Sequence, residues 1–244
     1  MFDPFGDFET AGYLRNVERI KDIDILKRQE HIFFEANIED AMRYLQSKKR
    51  LITYQDFLHV HHILFGDFYP WAGKDRLSLG VGRLISKGKV VQFEASELCQ
   101  KAVEWGLSIA NKPALLRQQP GKVMGIFAWG HPFLDGNGRT MLLIHTELCR
   151  RAGFLIKWHA TNKNDYLNAL TSELNEPQHS PLDNYLKPLI SELEHSDLLE
   201  YLKSIPGLDG SVTIDIQDIA YKENDHVAQK VYEDVKQRRN DFYS

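Results

Sequence analysis

One short stretch of this chain, residues 131–139, carries more polar chemistry than a packed core needs. It reads His-Pro-Phe-Leu-Asp-Gly-Asn-Gly-Arg, and apolar residues then recur at helical spacing until Gly153. Four of its side chains are costly to bury without partners: His131, Asp135, Asn137 and Arg139. The stretch therefore predicts a ligand-binding loop that leads directly into a helix.

The glycines of this loop predict a site for an anion. Gly136 and Gly138 flank Asn137, so the backbone can adopt positive φ and approach a ligand closely. Successive N–H groups there form a concave nest, and at a helix start the unpaired N–H groups and the macrodipole favour phosphate. Arg139, on the first turn, adds a charge-assisted contact.

Two more side chains of the loop indicate a reaction. A carboxylate beside a phosphate site is explained if Mg²⁺ bridges the two, so Asp135 is a candidate metal ligand. Imidazole titrates near neutral pH, which makes His131 a candidate general base for an incoming hydroxyl. Together these groups predict phosphoryl or nucleotidyl transfer. Asp-Gly and Asn-Gly are also common turn dipeptides, but a turn needs neither His-Pro-Phe before it nor Arg after it.

The stretch resembles the Fic motif, His-Pro-Phe-x-(Asp/Glu)-Gly-Asn-Gly-Arg, at every specified position. Residues 12–16, 65–73 and 85–88 extend the resemblance, which covers about residues 10 to 190. It implies an all-α Fic-fold helical bundle with a small β-hairpin flap over the active site. It also implies an enzyme that transfers AMP from ATP to a hydroxyl side chain of a target protein and releases pyrophosphate.

The resemblance carries roles to individual residues. His131 would activate the target hydroxyl, Asp135 would hold Mg²⁺, and Arg139 would contact the terminal phosphates. The flap falls at residues 84–93, where it would dock the target backbone by strand addition, with Ser86 to Gly88 as its tip. The candidate ATP-binding residues are Ser86, Lys87, Gly88, Gly136, Asn137, Gly138 and Arg139.

One position departs from the family pattern. Many members carry a second Arg three residues after the first, and Leu142 stands there in this chain, which removes a bidentate phosphate contact. Either Lys87 or another cation then replaces this contact, or a different donor is used. Transfer of UMP or phosphocholine, transfer of the γ-phosphate, and a nucleotide-binding pseudoenzyme therefore stay open. Relatives that transfer the γ-phosphate have Ala-Asn-Lys in place of residues 136–138, and pseudoenzymes usually lose the His or the acidic residue first. Both observations favour AMP transfer over γ-phosphate transfer and over a pseudoenzyme.

The sequence also bears on regulation. Fic proteins are commonly silenced by a helix with (Ser/Thr)-x-x-x-Glu-(Gly/Asn), and no segment here matches it. Glu176 follows Ser172 at the right spacing but precedes Pro177, and Glu35 lacks the Ser or Thr. We therefore expect restraint by a separate, antitoxin-like protein, by homo-oligomerisation or by limited access of the target.

The composition of the chain indicates which binding partners and which cellular compartment to expect. The 34 acidic and 30 basic residues give a net charge of −4, which predicts no direct binding of nucleic acid. Cys99 and Cys149 lie in apolar helical contexts and indicate buried thiols in a reducing compartment. No apolar run approaches the roughly 20 residues of a membrane span, and the start lacks signal-peptide features. A cytoplasmic protein without membrane contact is expected.

Turn residues at 206–210 predict a boundary between a Fic domain, residues 1–205, and an extension of unknown role, residues 206–244. The Fic domain would comprise N-terminal helices over 10–49 and a core over about 50–190. The spacing of apolar residues predicts one long helix or two in series over 18–49. It also predicts helices over 54–65, 96–111, about 120–130, 161–174 and 183–202, a strand over 211–217 and a solvated helical tail over 221–244. The three His of the 54–65 helix suggest zinc, but their spacing favours a partly exposed face without a metal.

Overall fold

Helices with an apolar face build most of this protein, as the apolar spacing predicts. The computed structural model describes residues 2–88, 91–192, 198–203, 205, 218–221 and 225–243. The helices are α1 (Phe8–Ala11), α2 (Ile23–Ser47), α3 (Tyr54–Phe65), α4 (Arg76–Leu79), α5 (Ser96–Ala110), α6 (Pro113–Gln118), α7 (Pro120–Gly130), α8 (Asn137–Arg151), α9 (Lys163–Asn175), α10 (Pro181–Leu186), α11 (Leu198–Lys203) and α12 (His226–Tyr243). Among the described residues, single 3₁₀ turns lie at Trp158–Ala160, Pro177–His179 and Lys187–Leu189. The expected all-α class is confirmed.

Helix α7 lies at the centre of the bundle: apart from Lys122, its residues are apolar or small, and all of them are buried. Helices α5, α8, α9 and α10 pack around it, while α2 packs on α3. Gly121 permits the contact with α10, since a Cβ there would lie 2.2 Å from the Asp183 backbone nitrogen. The Asp183 carboxylate accepts a hydrogen bond from the Gly121 N–H (2.7 Å) and so caps the start of α7.

Strands among the described residues form two small antiparallel sheets. The first has the order β2-β1-β5, with β1 (Leu84–Lys87), β2 (Val91–Gln92) and β5 (Asp218–Tyr221). In it Ser86 pairs with Gln92 on one side and with Ile219 on the other. The second sheet pairs β3 (Phe154–Ile156) with β4 (Ile190–Glu192). No described helix is long and apolar enough to cross a membrane.

Most predicted helices are found within a few residues of their expected ends. The helix predicted to begin near residue 18 is α2, which begins at Ile23. The Asp22 side chain accepts from the Ile25 N–H (2.9 Å) and caps the helix there. The helix predicted over 183–202 is wrong. Helix α10 ends at Leu186, and β4 pairs with β3 instead; Pro188 cannot donate the backbone hydrogen bond that a continuing helix needs.

The C-terminal region differs from the solvated tail that its charge pattern predicts. Helix α12 forms, but its side chains at Ala228, Tyr232, Val235 and Arg239 are buried against the rest of the protein. The strand predicted over 211–217 lies outside the described residues. The strand that is described in this region, β5, adds to the edge of the flap hairpin.

Candidate active site

The motif loop joins the end of α7 to the start of α8. His131 has a left-handed backbone conformation (φ 40°) that ends α7, and Gly136 has φ 76° where α8 begins. A Cβ at Gly136 would lie 2.6 Å from the Phe65 ring, so only glycine fits. The Asn137 side chain holds the loop closed, since it accepts from the Phe133 N–H (2.9 Å) and donates to the Phe133 carbonyl (2.8 Å). A part in an anion hole would therefore fall to the backbone N–H of Asn137.

His131 is held in place from two sides. Its ring stacks on Phe93, with 3.7 Å between the ring centroids, and the residue is only 8% exposed. Its carbonyl accepts a hydrogen bond from Arg76 Nε (2.8 Å), and the Pro132 carbonyl accepts from the Arg76 N–H (2.8 Å). Arg76 is fully buried and also donates to the Glu94 carbonyl (2.7 Å), which ties the motif loop to the base of the flap hairpin.

His61 of α3 supports the motif loop through contacts with Asp135 and Phe133. Sequence reasoning did not find this role. Its Nδ1 accepts from the Gly73 N–H (2.9 Å), so its Nε2 carries the proton and donates to the Asp135 carbonyl (3.0 Å). The ring also stacks on Phe133 at 3.7 Å. Burial lowers the pKa of His61 to about 3, so the ring is neutral. Only His59 and His62 lie on the partly exposed face expected of this helix.

Asp135 lies between positive charges. Its Oδ2 accepts from Lys27 Nζ (2.5 Å) and its Oδ1 from the Gly136 N–H (2.7 Å). Burial acts to raise the pKa of Asp135, but the Lys27 ammonium, the Gly136 N–H and the Lys87 charge outweigh it and lower the pKa below its usual value. The carboxylate is thus ionised at neutral pH, and Lys87 of β1 is close enough to influence it.

Arg139 makes an ion pair with Glu30, a fully buried residue of α2. Glu30 Oε2 also accepts from Tyr69 Oη (3.1 Å) and from Lys27 Nζ (3.2 Å), so both carboxylate oxygens have a donor. The Arg139 guanidinium lies 4.6 Å from the Phe65 ring centroid and is 17% exposed. Burial lowers the pKa of Arg139 to about 10, which leaves it charged at neutral pH.

Glu30 and Lys27 are site residues that the motif does not contain. The one signal in the sequence is a pair of opposite charges three residues apart on a helix, with the apolar residues Leu26 and Phe34 one turn before and after Glu30. Such a pair is ordinarily a solvated surface pair. The fold instead turns it toward the motif loop, where it meets Asp135 and Arg139.

The flap hairpin is present, but its tip differs from the prediction. Ser86 and Lys87 lie within β1, and only Gly88 (φ 58°) belongs to the turn. Ser86 is buried, and its hydroxyl donates to the Gly88 carbonyl (3.2 Å). The correction follows from the pairing of Lys87 with Val91, which extends the strand to the edge of the turn.

The described residues contain no group of three or more His, Cys, Asp or Glu side chains placed to hold a metal ion. Asp135 is therefore a single protein carboxylate that would need oxygen ligands from a substrate to complete a magnesium site. Its side chain is 23% exposed and ionised, which suits such a shared site.

Comparison with known proteins agrees with this loop and fold. Residues 51–149 match the sequence model of the Fic/DOC family. Protein adenylyltransferase VbhT of Bartonella schoenbuchensis is 32% identical over 173 residues, which cover 68% of this chain and 35% of VbhT. The chain thus spans about a third of that relative. Probable protein adenylyltransferase y4lH of Sinorhizobium fredii is 24% identical over 177 residues, which cover 64% and 81% of the two chains.

Solved structures show the same fold at low identity. BepC of Bartonella tribocorum, crystallised with AMPPNP, has a TM-score of 0.61 at 17% identity, over 76% of this chain and 96% of BepC. A Fic domain of Bartonella quintana with bound ADP has a TM-score of 0.60 at 18% identity, over 77% and 94% of the two chains. The helical bundle, its hairpin and the glycine loop at the start of α8 have the arrangement of a Fic domain. The chain belongs to the Fic/DOC family.

Proposed function

We propose that this protein is an adenylyltransferase that moves AMP from ATP to a hydroxyl side chain of a target protein. The observation that carries the proposal is the joint placement of the His131 imidazole, the ionised Asp135 carboxylate and a glycine backbone at the start of α8. The names of VbhT and y4lH support it. A cytoplasmic site of action, a target protein held at the flap and an antitoxin-like partner belong to the same proposal.

The start of α8 provides the phosphate site. This helix is long enough to carry a full macrodipole, and a Cβ at Gly138 would meet no protein atom within 4 Å, so the backbone there is accessible to a ligand. Arg139 and Lys27 add positive charge beside it. Glu30 holds Arg139 through one side of the guanidinium, and the partial exposure of Arg139 leaves room for a phosphate oxygen.

Lys27 supplies a positive charge near the motif loop, where Leu142 replaces the second arginine of other family members. The side chain of Leu142 packs against the apolar core and brings no charge to the site. Lys27 is a cation that reaches Asp135 and Glu30 from α2, on the same side of the loop as Arg139. We infer that Lys27 takes part of the phosphate-neutralising role that a second motif arginine has in other members.

Asp135 would hold Mg²⁺, and the residues around it fit this ion. When bound, Mg²⁺ would draw phosphate oxygens toward the carboxylate and neutralise their charge. Asp135 offers an ionised oxygen at the helix start, while its other oxygen keeps the Gly136 N–H in place. Lys27, which now donates to Asp135 Oδ2, would share this oxygen with the metal or turn to the phosphates.

His131 would act as the base. The target hydroxyl oxygen attacks the α-phosphorus of ATP, its proton passes to the His131 ring, and the bond from the α-phosphorus to the bridging oxygen breaks to release pyrophosphate. Stacking on Phe93 and the hydrogen bond from Arg76 to its carbonyl fix the ring and the backbone of His131. This fixed position reduces the entropy lost when the hydroxyl is brought into line.

The test separates the possible reactions by the label that reaches protein. The purified chain is incubated with Mg²⁺, a cell lysate and ATP labelled at either the α- or the γ-phosphate. We expect only the α label to become protein-bound, and we expect His131→Ala to abolish it while His159→Ala, at an exposed position, retains it. If only the γ label became protein-bound, phosphate transfer would be selected. If no label of either kind became protein-bound, the result would contradict adenylyl transfer.

A second test concerns the glycine backbone. Gly138→Ala adds a methyl group that touches no protein atom, so the variant should fold as well as the natural chain. If a phosphate approaches this backbone, the methyl group should weaken ATP binding by tenfold or more, measured by calorimetry. Unchanged ATP affinity in this variant would place the phosphates elsewhere.

A further inference from the structure

One outer edge of the flap hairpin, that of β1, is paired with a strand from the same chain. Strand β5 lies antiparallel to β1 along its whole length, from Leu84 opposite Tyr221 to Lys87 opposite Asp218. Strand β2 covers the other edge of β1. Both edges of β1 are therefore hydrogen-bonded within the protein, and an added strand from another protein has no edge of β1 to pair with.

Strand β5 is anchored on both sides by packed elements. On its N-terminal side, Leu202 and Ile205 are buried in the core. On its C-terminal side, α12 packs on the hairpin: Tyr232 donates to the Glu94 carboxylate, and Arg83 of the hairpin base donates to Gln229 (3.2 Å). Farther along, Arg239 is buried with its guanidinium 4.3 Å from the Trp129 ring centroid.

These anchors make pairing of β5 with β1 an intramolecular event. A strand tethered in this way has an effective concentration in the millimolar range. A separate protein segment present at about 0.1 mM or less would then compete at a disadvantage of roughly tenfold or more. The advantage of β5 comes from the tether, and backbone pairing makes it largely independent of side-chain identity.

We infer that β5 is a built-in competitor for the flap edge, which must leave β1 before an extended segment of a target protein can dock there. The inference rests on the proposed function, since it assumes that the flap receives the target by strand addition. It assigns a role to the C-terminal extension: α12 holds β5 near the hairpin, and β5 limits access to the site by occupying the place of the target backbone.

The register shows which backbone group of β5 to remove. The Phe93 N–H donates to the Ile85 carbonyl (3.1 Å), so Ile85 directs its backbone groups toward β2. Backbone groups alternate along a strand, and Ser86 therefore directs its own toward β5, where it pairs with Ile219. In an antiparallel pair the N–H of Ile219 then faces β1, whereas the N–H of Ala220 faces away.

Two proline variants form a matched pair on this basis. Ile219→Pro removes a donor to β1, while Ala220→Pro, one residue on, removes an N–H that makes no bond to β1. Each is placed in a His131→Ala chain so that catalysis does not interfere. The probe is a fluorescent peptide with the sequence of residues 214–223, and its binding is measured by anisotropy.

We expect the peptide to bind the Ile219→Pro chain at least tenfold more tightly than it binds the chain with natural β5 or the Ala220→Pro chain. Equal affinity for all three would overturn the inference. Hydrogen exchange provides a check that needs no peptide: the Ser86 amide should exchange faster in Ile219→Pro, while the Lys87 amide, which faces β2, should not change. Unchanged exchange at Ser86 would also overturn it.

A catalytic measurement separates this inference from the proposed function. With His131 intact, Ile219→Pro should increase the initial rate at which α label from ATP reaches lysate proteins, and Ala220→Pro should not. If the peptide prefers the opened chain but no label is transferred by any variant, the proposed function fails and the covering by β5 stands. If label is transferred equally by all variants and the peptide shows no preference, β5 is not a competitor.

Discussion

The buried imidazole of His61 should lower the stability of this protein in mild acid, at a pH well above the one at which exposed carboxylates are protonated. Both ring nitrogens have partners that suit only the neutral form: Nδ1 accepts from the Gly73 N–H, and Nε2 donates to the Asp135 carbonyl. A proton added at Nδ1 would face the Gly73 N–H, so one hydrogen bond would be replaced by repulsion. His145 is similarly buried, with Nε2 2.9 Å from the Pro120 carbonyl.

The size of the loss in unfolding free energy follows from the shift in the pKa of each ring. Burial lowers the pKa of His61 to about 3 and that of His145 to about 4, while both groups titrate near 6.5 in the unfolded chain. Between these values the unfolded state binds the proton and the folded state does not, so stability falls as pH drops below about 6.5. From there to pH 5 is about 1.5 pH units, which corresponds to about 2 kcal/mol for each ring.

The assay is urea unfolding at pH 7 and pH 5, followed by circular dichroism. The two rings together should lower the unfolding free energy of the natural chain by about 4 kcal/mol, but Glu173, whose pKa burial raises to about 7, takes up its proton in the folded state and offsets about 2 kcal/mol of this loss. The natural chain should therefore lose about 2 kcal/mol, and His61→Gln should lose about 2 kcal/mol less than the natural chain does. His62→Gln, an exposed position on the same helix, should keep most of the natural decrease. A His61→Gln variant with the full natural decrease would refute the reasoning.

Two further predictions concern the motif loop. Glu30→Gln should lower the free energy of unfolding by about 3–5 kcal/mol in urea titrations, because it leaves the buried Arg139 without its counter-charge; Glu39→Gln, in an exposed pair on the same helix, should cost at most about 1 kcal/mol. A similar loss of unfolding free energy in the two variants would show that the buried ion pair stabilises the fold no more than the exposed one. Gly136→Ala should destabilise the fold by about 1–3 kcal/mol, because of its positive φ and the nearby Phe65 ring, whereas Gly138→Ala should be neutral or slightly stabilising. Equal thermal melts of these two alanine variants would contradict the loop geometry.

The sequence by itself determined the features that depend on near neighbours along the chain. The spacing of apolar residues indicates the helices, and the glycines of residues 131–139 indicate a turn that leads directly into a helix. These features could be predicted because hydrogen bonding and periodicity within a helix or a turn involve residues only a few positions apart. The same reasoning failed over residues 183–202, where a helical pattern gave way to a strand paired with β3.

The tertiary structure alone decided which distant residues complete the site. The sequence shows that Arg139 needs a partner, but Glu30 lies 109 positions away, and only the packing of α2 beside α8 brings them together. The same holds for His61 beneath Asp135 and for β5 on the flap edge, whose pairing partner is more than a hundred residues earlier in the chain. Burial makes a charge or a strand edge require a partner, but the path of the whole chain selects which one it meets.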